Sequence, residues 1–106
     1  MRHLSPRGLH ARLQADGEPP LLLDVREPWE SRICRIEGAR LIPMRQIVAS
    51  LPQLDRHRET VVICHHGIRS HQVALYLEHH GFTNVINLQG GVAGWARDVD
   101  PAMPTY

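Results

Sequence analysis

The stretch Val61–Ser70, V-V-I-C-H-H-G-I-R-S, constrains the fold more than any other part of the chain. Val61, Val62 and Ile63 are β-branched and have no polar residue between them, which is the pattern of a strand buried on both faces. Cys64 closes that run, Gly67 marks a tight loop, and Arg69 opens a helical pattern reaching His80. The reading is strand, loop, helix, with a thiol at the C-terminal end of the strand. In such a junction the loop N–H groups turn inward and the helix N-terminus adds partial positive charge. Both favour a thiolate, so Cys64 is the candidate nucleophile. The plainer reading of Cys64, and the one composition alone favours, is an inert cysteine buried at a strand end.

The rest of the chain repeats the alternation of strand and helix. Arg2–Leu4 reads as an edge strand, and Ser5 followed by Pro6 is a helix start, with Leu9 and Leu13 on one stripe. Leu21–Val25 is an apolar run broken by Asp24, and Pro28–Ile33 is one or two helical turns. Arg40–Ile42 is a short strand. Met44–Leu54 carries helical spacing that Pro52 kinks or ends early. Gly81 follows the helix that begins at Arg69, and Phe82 folds back onto it. Val85–Leu88 is a last strand, Gly90-Gly91 a turn, Val92–Asp98 a short helix, and Asp100–Tyr106 a proline-containing tail. Together these predict one α/β domain over residues 1–106: four or five mainly parallel strands with helices on both faces. Asp24 and Cys64 then share the rim at the C-terminal ends of the strands.

Composition excludes several functions. The net charge of +1 gives no reason to expect a nucleic-acid or membrane surface as partner. All 12 basic side chains counted as Lys or Arg are arginines, which excludes lysine Schiff-base chemistry. The eight histidines add positive charge only below about pH 6.5. Two cysteines make neither a disulfide scaffold nor a four-ligand zinc pattern. With no basic-then-apolar leader and only short apolar runs, the expected location is the cytoplasm.

Four segments, L-L-L-D-V-R-E-P-W-E, I-E-G-A-R-L-I-P, C-H-H-G-I-R-S and L-Q-G-G-V-A-G-W, span residues 21–95. They resemble, in order, the motifs of single-domain rhodaneses, a family of sulfurtransferases. The resemblance implies a rhodanese-like fold and a persulfide mechanism. In it Cys64 takes the outer sulfur of thiosulfate or another sulfane donor and passes it to cyanide, a thiol or a partner protein, without a cofactor or metal. It further implies that His65, His66, Gly67, Ile68, Arg69 and Ser70 form the active-site loop, with their N–H groups as a cradle. Asp24 is implied to support that loop by hydrogen bonding and Arg26 to make an internal ion pair, with Glu30 a candidate partner.

Loop length bears on the chemistry. A related phosphatase class, with arsenate reductases, uses the same scaffold with a loop one residue longer. Here Arg69 is the fifth residue after Cys64, matching the shorter sulfurtransferase loop. A persulfide carrier charged by a protein donor stays open as a non-enzymatic alternative. Several side chains keep two readings. Arg69 either binds an anionic donor or braces the loop against Asp24 or Glu30. His65 and His66 are either cationic donor contacts or solvent-exposed loop residues; a Cys-His-His metal site would strain adjacent ligands. Cys34-Arg35-Ile36 stands where the family often has Gly-His-Ile, and Cys34 reads as a packing residue or a resolving thiol. Trp29 and Trp95 read as core or core-edge residues.

Overall fold

The two apolar runs that lack alternation pair with each other. The computed structural model describes all 106 residues. In it β2 (Leu21–Asp24) and β4 (Thr60–Ile63) lie parallel in the middle of the sheet. β5 (Val85–Leu88) extends β4, while β1 (Arg2–Leu4) and β3 (Arg40–Leu41) form the edges. The order is β1-β5-β4-β2-β3, with every pair parallel. The register sets Asp24 against Ile63, so Cys64, one residue on, emerges at the same rim.

Helices cover both faces. α1 (Pro6–Gln14) starts where Ser5 accepts the Gly8 N–H at 3.0 Å, and α2 (Pro28–Ile33) starts with the Glu27 N–H donating to the Glu30 carboxylate at 2.8 Å. α4 (Ile68–His79) and α5 (Gly91–Asp98) follow β4 and β5. The Phe82 N–H closes α4 by donating back to the Leu77 carbonyl at 3.1 Å.

Successive strand residues face opposite sides, and two cores follow from that period of two. Leu23, Val62 and Val85 pack with Cys64, Val73, Ala74 and Leu77 beneath α4. Leu22, Val61, Ile63, Ile86 and Leu88 pack with Leu9, Val92 and Trp95 beneath α1 and α5. Each fully buried leucine contributes roughly 1.5–3 kcal/mol of apolar transfer free energy. No helix is long and apolar enough to cross a membrane.

Three expectations are corrected. Met44–Leu54 is not one helix: it breaks into 3₁₀ turns at Met44–Gln46 and Leu51–Gln53 around a short α3 (Ile47–Ser50). Pro52 has no N–H to continue an i→i−4 ladder, so the last turn tightens instead. Ile47, Leu51 and Leu54 remain buried, so the apolar spacing reports burial correctly and helix length wrongly. Trp95 is buried, but Trp29 is 54% exposed. Asp100–Tyr106 does not trail away: Met103 is buried in the core, and Tyr106 returns to the rim that carries Cys64.

Candidate active site

Cys64 leaves β4 one residue beyond the last strand position and is 1% exposed. Its Sγ accepts the Gly67 N–H at 3.0 Å and lies 3.3 Å from the Ser70 hydroxyl. The loop reaches this geometry because Gly67 has φ +100°, which a side chain resists, and because it caps the 12-residue α4. The partial positive charge at the N-terminus of α4 is therefore directed at the sulfur, a contribution of about 0.3–1 kcal/mol, rising to about 2 when partly buried. Of the N–H groups expected to cradle the sulfur, Gly67's is the one that donates directly to Sγ. The Ser70 hydroxyl in turn donates to Asn87 Oδ1 at 2.6 Å, and Asn87 Nδ2 donates to the Gly67 carbonyl at 3.4 Å.

α5 buttresses the loop from below. The Val92 and Ala93 N–H groups donate to the Cys64 and His65 carbonyls at 2.9 and 3.0 Å. Gly91 makes that approach feasible: a Cβ there would stand 2.3 Å from the Cys64 carbonyl oxygen. The Gly90-Gly91 turn is thus part of the site's support.

The charged residues sort differently from the expected pairing. Arg26 is fully buried and pairs with Asp24, not with the Glu30 carboxylate, its Nε and Nη2 donating to Asp24 at 2.9 and 2.7 Å. Arg26 reaches Glu30 only at its backbone carbonyl, 3.3 Å from Nη1. The Asp24 carboxylate is occupied by Arg26 and does not touch the Cys64 loop, so any support it gives passes through Arg26. Glu30 instead receives both Nη groups of Arg69, at 2.8 and 2.7 Å, a bidentate pair that holds the end of the loop against α2. The Arg69 guanidinium is the main reason the Glu30 carboxyl falls to about 2, with the Glu27 N–H and the Tyr106 hydroxyl adding and burial opposing. Arg69 is shifted upward by the same pairing. The bracing reading of Arg69 is the one the geometry matches.

Around the loop, the His65 ring lies flat on Tyr106, 3.8 Å between centroids and 10° between planes, and 3.9 Å from His66. Burial, then the neighbouring His66, pushes His65 below its ordinary value. His66 and Ile68 are exposed, so the loop presents these two side chains to solvent. Cys34 is buried and packs with Leu22 and Ile36. Its carbonyl accepts Arg26 Nη2 at 2.7 Å.

A thiol on a loop of this shape, at the C-terminal rim of this sheet order, invites comparison with known proteins. The sequence profile of the rhodanese-like domain matches residues 5–98. The chain belongs to the rhodanese-like family. A protein named sulfurtransferase from Allochromatium vinosum is 36% identical over 97 residues, covering 92% of this chain and 90% of that one. A rhodanese-like/PpiC domain-containing chloroplastic protein of Arabidopsis thaliana is 38% identical over 104 residues. This chain spans only 35% of that protein's length, and still less of several other relatives. The crystal structure of a rhodanese-like domain protein from Staphylococcus aureus superposes with a TM-score of 0.85 at 28% identity, over 100% of this chain and 99% of that one. Rhodanese-type sulfur transfer is the activity class these relatives support.

Two residues of this rhodanese-like site escape sequence reasoning. Asn87 interrupts the apolar strand V-I-N-L as Asp24 interrupts L-L-L-D, and that shared signal marks it as a buried polar group needing partners. Tyr106 has no such signal, because an isolated aromatic in a proline-containing segment shows no period.

Proposed function

We propose that the domain moves sulfane sulfur through a Cys64 persulfide. The Cys64 thiolate attacks the outer sulfur of thiosulfate, the donor's S–S bond breaks, and sulfite leaves with the bonding electron pair. An acceptor nucleophile, cyanide or a thiolate, then attacks the outer sulfur of the persulfide and regenerates the Cys64 thiolate. The observation that carries this reading is the position of Sγ. It accepts the Gly67 N–H, touches the Ser70 hydroxyl and sits at the N-terminus of α4, where negative charge on sulfur is favoured. His65, His66, Gly67, Ile68, Arg69 and Ser70 form the surrounding loop, with Arg69 acting through Glu30 to hold it. Asp24 and Arg26 act behind it as a buried pair. The test is intact-mass analysis after exposure to thiosulfate: the wild type gains one sulfur atom and Cys64→Ser gains none.

A second reading, a persulfide carrier charged by a protein donor, is favoured by the state of the cations. Arg69 is engaged by Glu30, Arg26 is buried against Asp24, Arg45 pairs with Glu27, and there is no lysine. A thiosulfate dianion would therefore meet loop N–H groups and no unpaired arginine among these three. Loading by a cysteine desulfurase with none from thiosulfate selects the carrier reading; turnover to thiocyanate selects the enzyme. The phosphatase and arsenate reductase readings lose ground for the same reason: the arginine they would aim at an oxyanion is bidentate on Glu30.

A further inference from the structure

Tyr106 lies beyond Asp98, where the family match stops, yet it touches the start of the Cys64 loop directly and reaches its end through Glu30. Its ring covers His65, the first residue after the cysteine, at 3.8 Å. Its hydroxyl accepts from Arg26 Nη1 at 3.1 Å and donates to Glu30 Oε1 at 2.9 Å. Oε1 of Glu30 also receives Arg69, the residue that precedes Ser70. One phenol thus links the Asp24–Arg26 pair to the Glu30–Arg69 pair and presses on His65 as well. Trp29 supports it edge-on, at 5.8 Å and 71°.

We propose that Tyr106 is a positioning residue that fixes the Cys64 loop from both ends, by stacking on His65 and by bonding the carboxylate that holds Arg69. The inference rests on Cys64 being the reacting sulfur, but its geometric content is separable from that reading. The loop has to keep the Gly67 N–H aimed at Sγ, and a side chain that anchors both flanks restricts how far it opens. The two attachments are chemically distinct, so two variants part them. Tyr106→Phe keeps the ring over His65 and removes both hydroxyl bonds. Tyr106→Ala removes both attachments and exposes His65 to water. The charged or titratable groups that face His65 are His66, Glu30 and Arg69, and the Tyr106 backbone also bonds its ring; both variants keep these groups and change only the Tyr106 side chain.

The experiment is NMR on the three proteins, following amide exchange at Gly67 and the titration of the His65 ring, with sulfur loading of Cys64 from an alkyl persulfide measured in parallel. Gly67 exchange is expected to quicken about five- to tenfold in Tyr106→Phe, the effect of losing a net hydrogen-bond tie, and further in Tyr106→Ala. The His65 midpoint is expected to stay put in Tyr106→Phe and to rise in Tyr106→Ala, because burial is what lowers it. Sulfur loading is expected to slow in the same order. A merely structural tyrosine would lower melting temperature without moving Gly67 exchange below the unfolding transition, and that result overturns the proposal. So does an unchanged His65 midpoint in Tyr106→Ala. If Cys64 takes no sulfur in any variant while the NMR changes appear as stated, the positioning role holds and the sulfur-transfer reading fails.

Discussion

At the scale of single residues, the direction of one hydroxyl matters. Ser70 is completely buried and spends its hydrogen on Asn87 Oδ1 at 2.6 Å, so the contact to Cys64 has the thiol donating to Ser70. A thiolate has no hydrogen to donate and becomes an acceptor only. Ionisation of Cys64 therefore asks the Ser70 hydroxyl to turn from Asn87 to sulfur, which is easier when the Asn87 amide rotates to present Nδ2. Asn87→Asp denies that rotation, because both oxygens of a carboxylate accept, and it adds a negative charge behind Ser70. The alkylation rate of Cys64 by iodoacetamide near pH 7 should fall about tenfold in Asn87→Asp. A rate equal to that of the wild type would show that the hydroxyl does not respond to Asn87.

At the scale of elements, α2 and α5 hold the loop by different physics. α2 uses charge: Glu30, 4% exposed at its side chain, binds Arg69, which is 34% exposed. The carboxyl sits at about 2, below its ordinary 4.5, so its contribution to stability is complete above pH 4.5 and is lost as the pH falls towards 2. Allowing for solvent at the Arg69 edge, that contribution is of order 2 kcal/mol. Glu30→Gln should lower the urea midpoint at pH 7 and flatten its decline between pH 4.5 and 2; an unchanged decline would mean that other carboxylates cause it. α5 uses contact. Its first turn donates to the Cys64 and His65 carbonyls and leaves no room for a side chain at Gly91. Gly91→Ala places a methyl 2.3 Å from the Cys64 carbonyl oxygen and strains a backbone at φ +58°. The expected result is a loss of about 2–3 kcal/mol in stability with slowed Cys64 chemistry, read by urea unfolding and alkylation. A Gly91→Ala protein as stable and reactive as the wild type would contradict the buttress.

At the scale of the whole molecule, most of the architecture is legible in the sequence because its signals are local. Unalternated runs at Leu21–Asp24 and Val61–Ile63 mark central parallel strands, and Ser5-Pro6 and Gly81 mark helix ends. The position of Cys64 follows from the same signals, since a parallel sheet brings the ends of β2 and β4 to one rim. What is not legible is partner choice at long range. Residue order offers Glu30 to both Arg26 and Arg69 without choosing between them, and it does not say that Arg26 turns to Asp24 or that Tyr106 returns to bind both pairs. Those outcomes depend on how α2 sits against the N-terminal end of α4, a tertiary distance that no periodicity encodes. Whether this scaffold holds a sulfur atom on Cys64 is decided by intact-mass measurement. Wild type and Cys64→Ser are each treated with thiosulfate, with an alkyl persulfide and with a cysteine desulfurase plus cysteine. One added sulfur, removable by cyanide or reductant and mapped to Cys64, is expected in the wild type with at least one donor, and none in Cys64→Ser. No added sulfur from any of the three donors, or equal addition in both proteins, would contradict the persulfide reading.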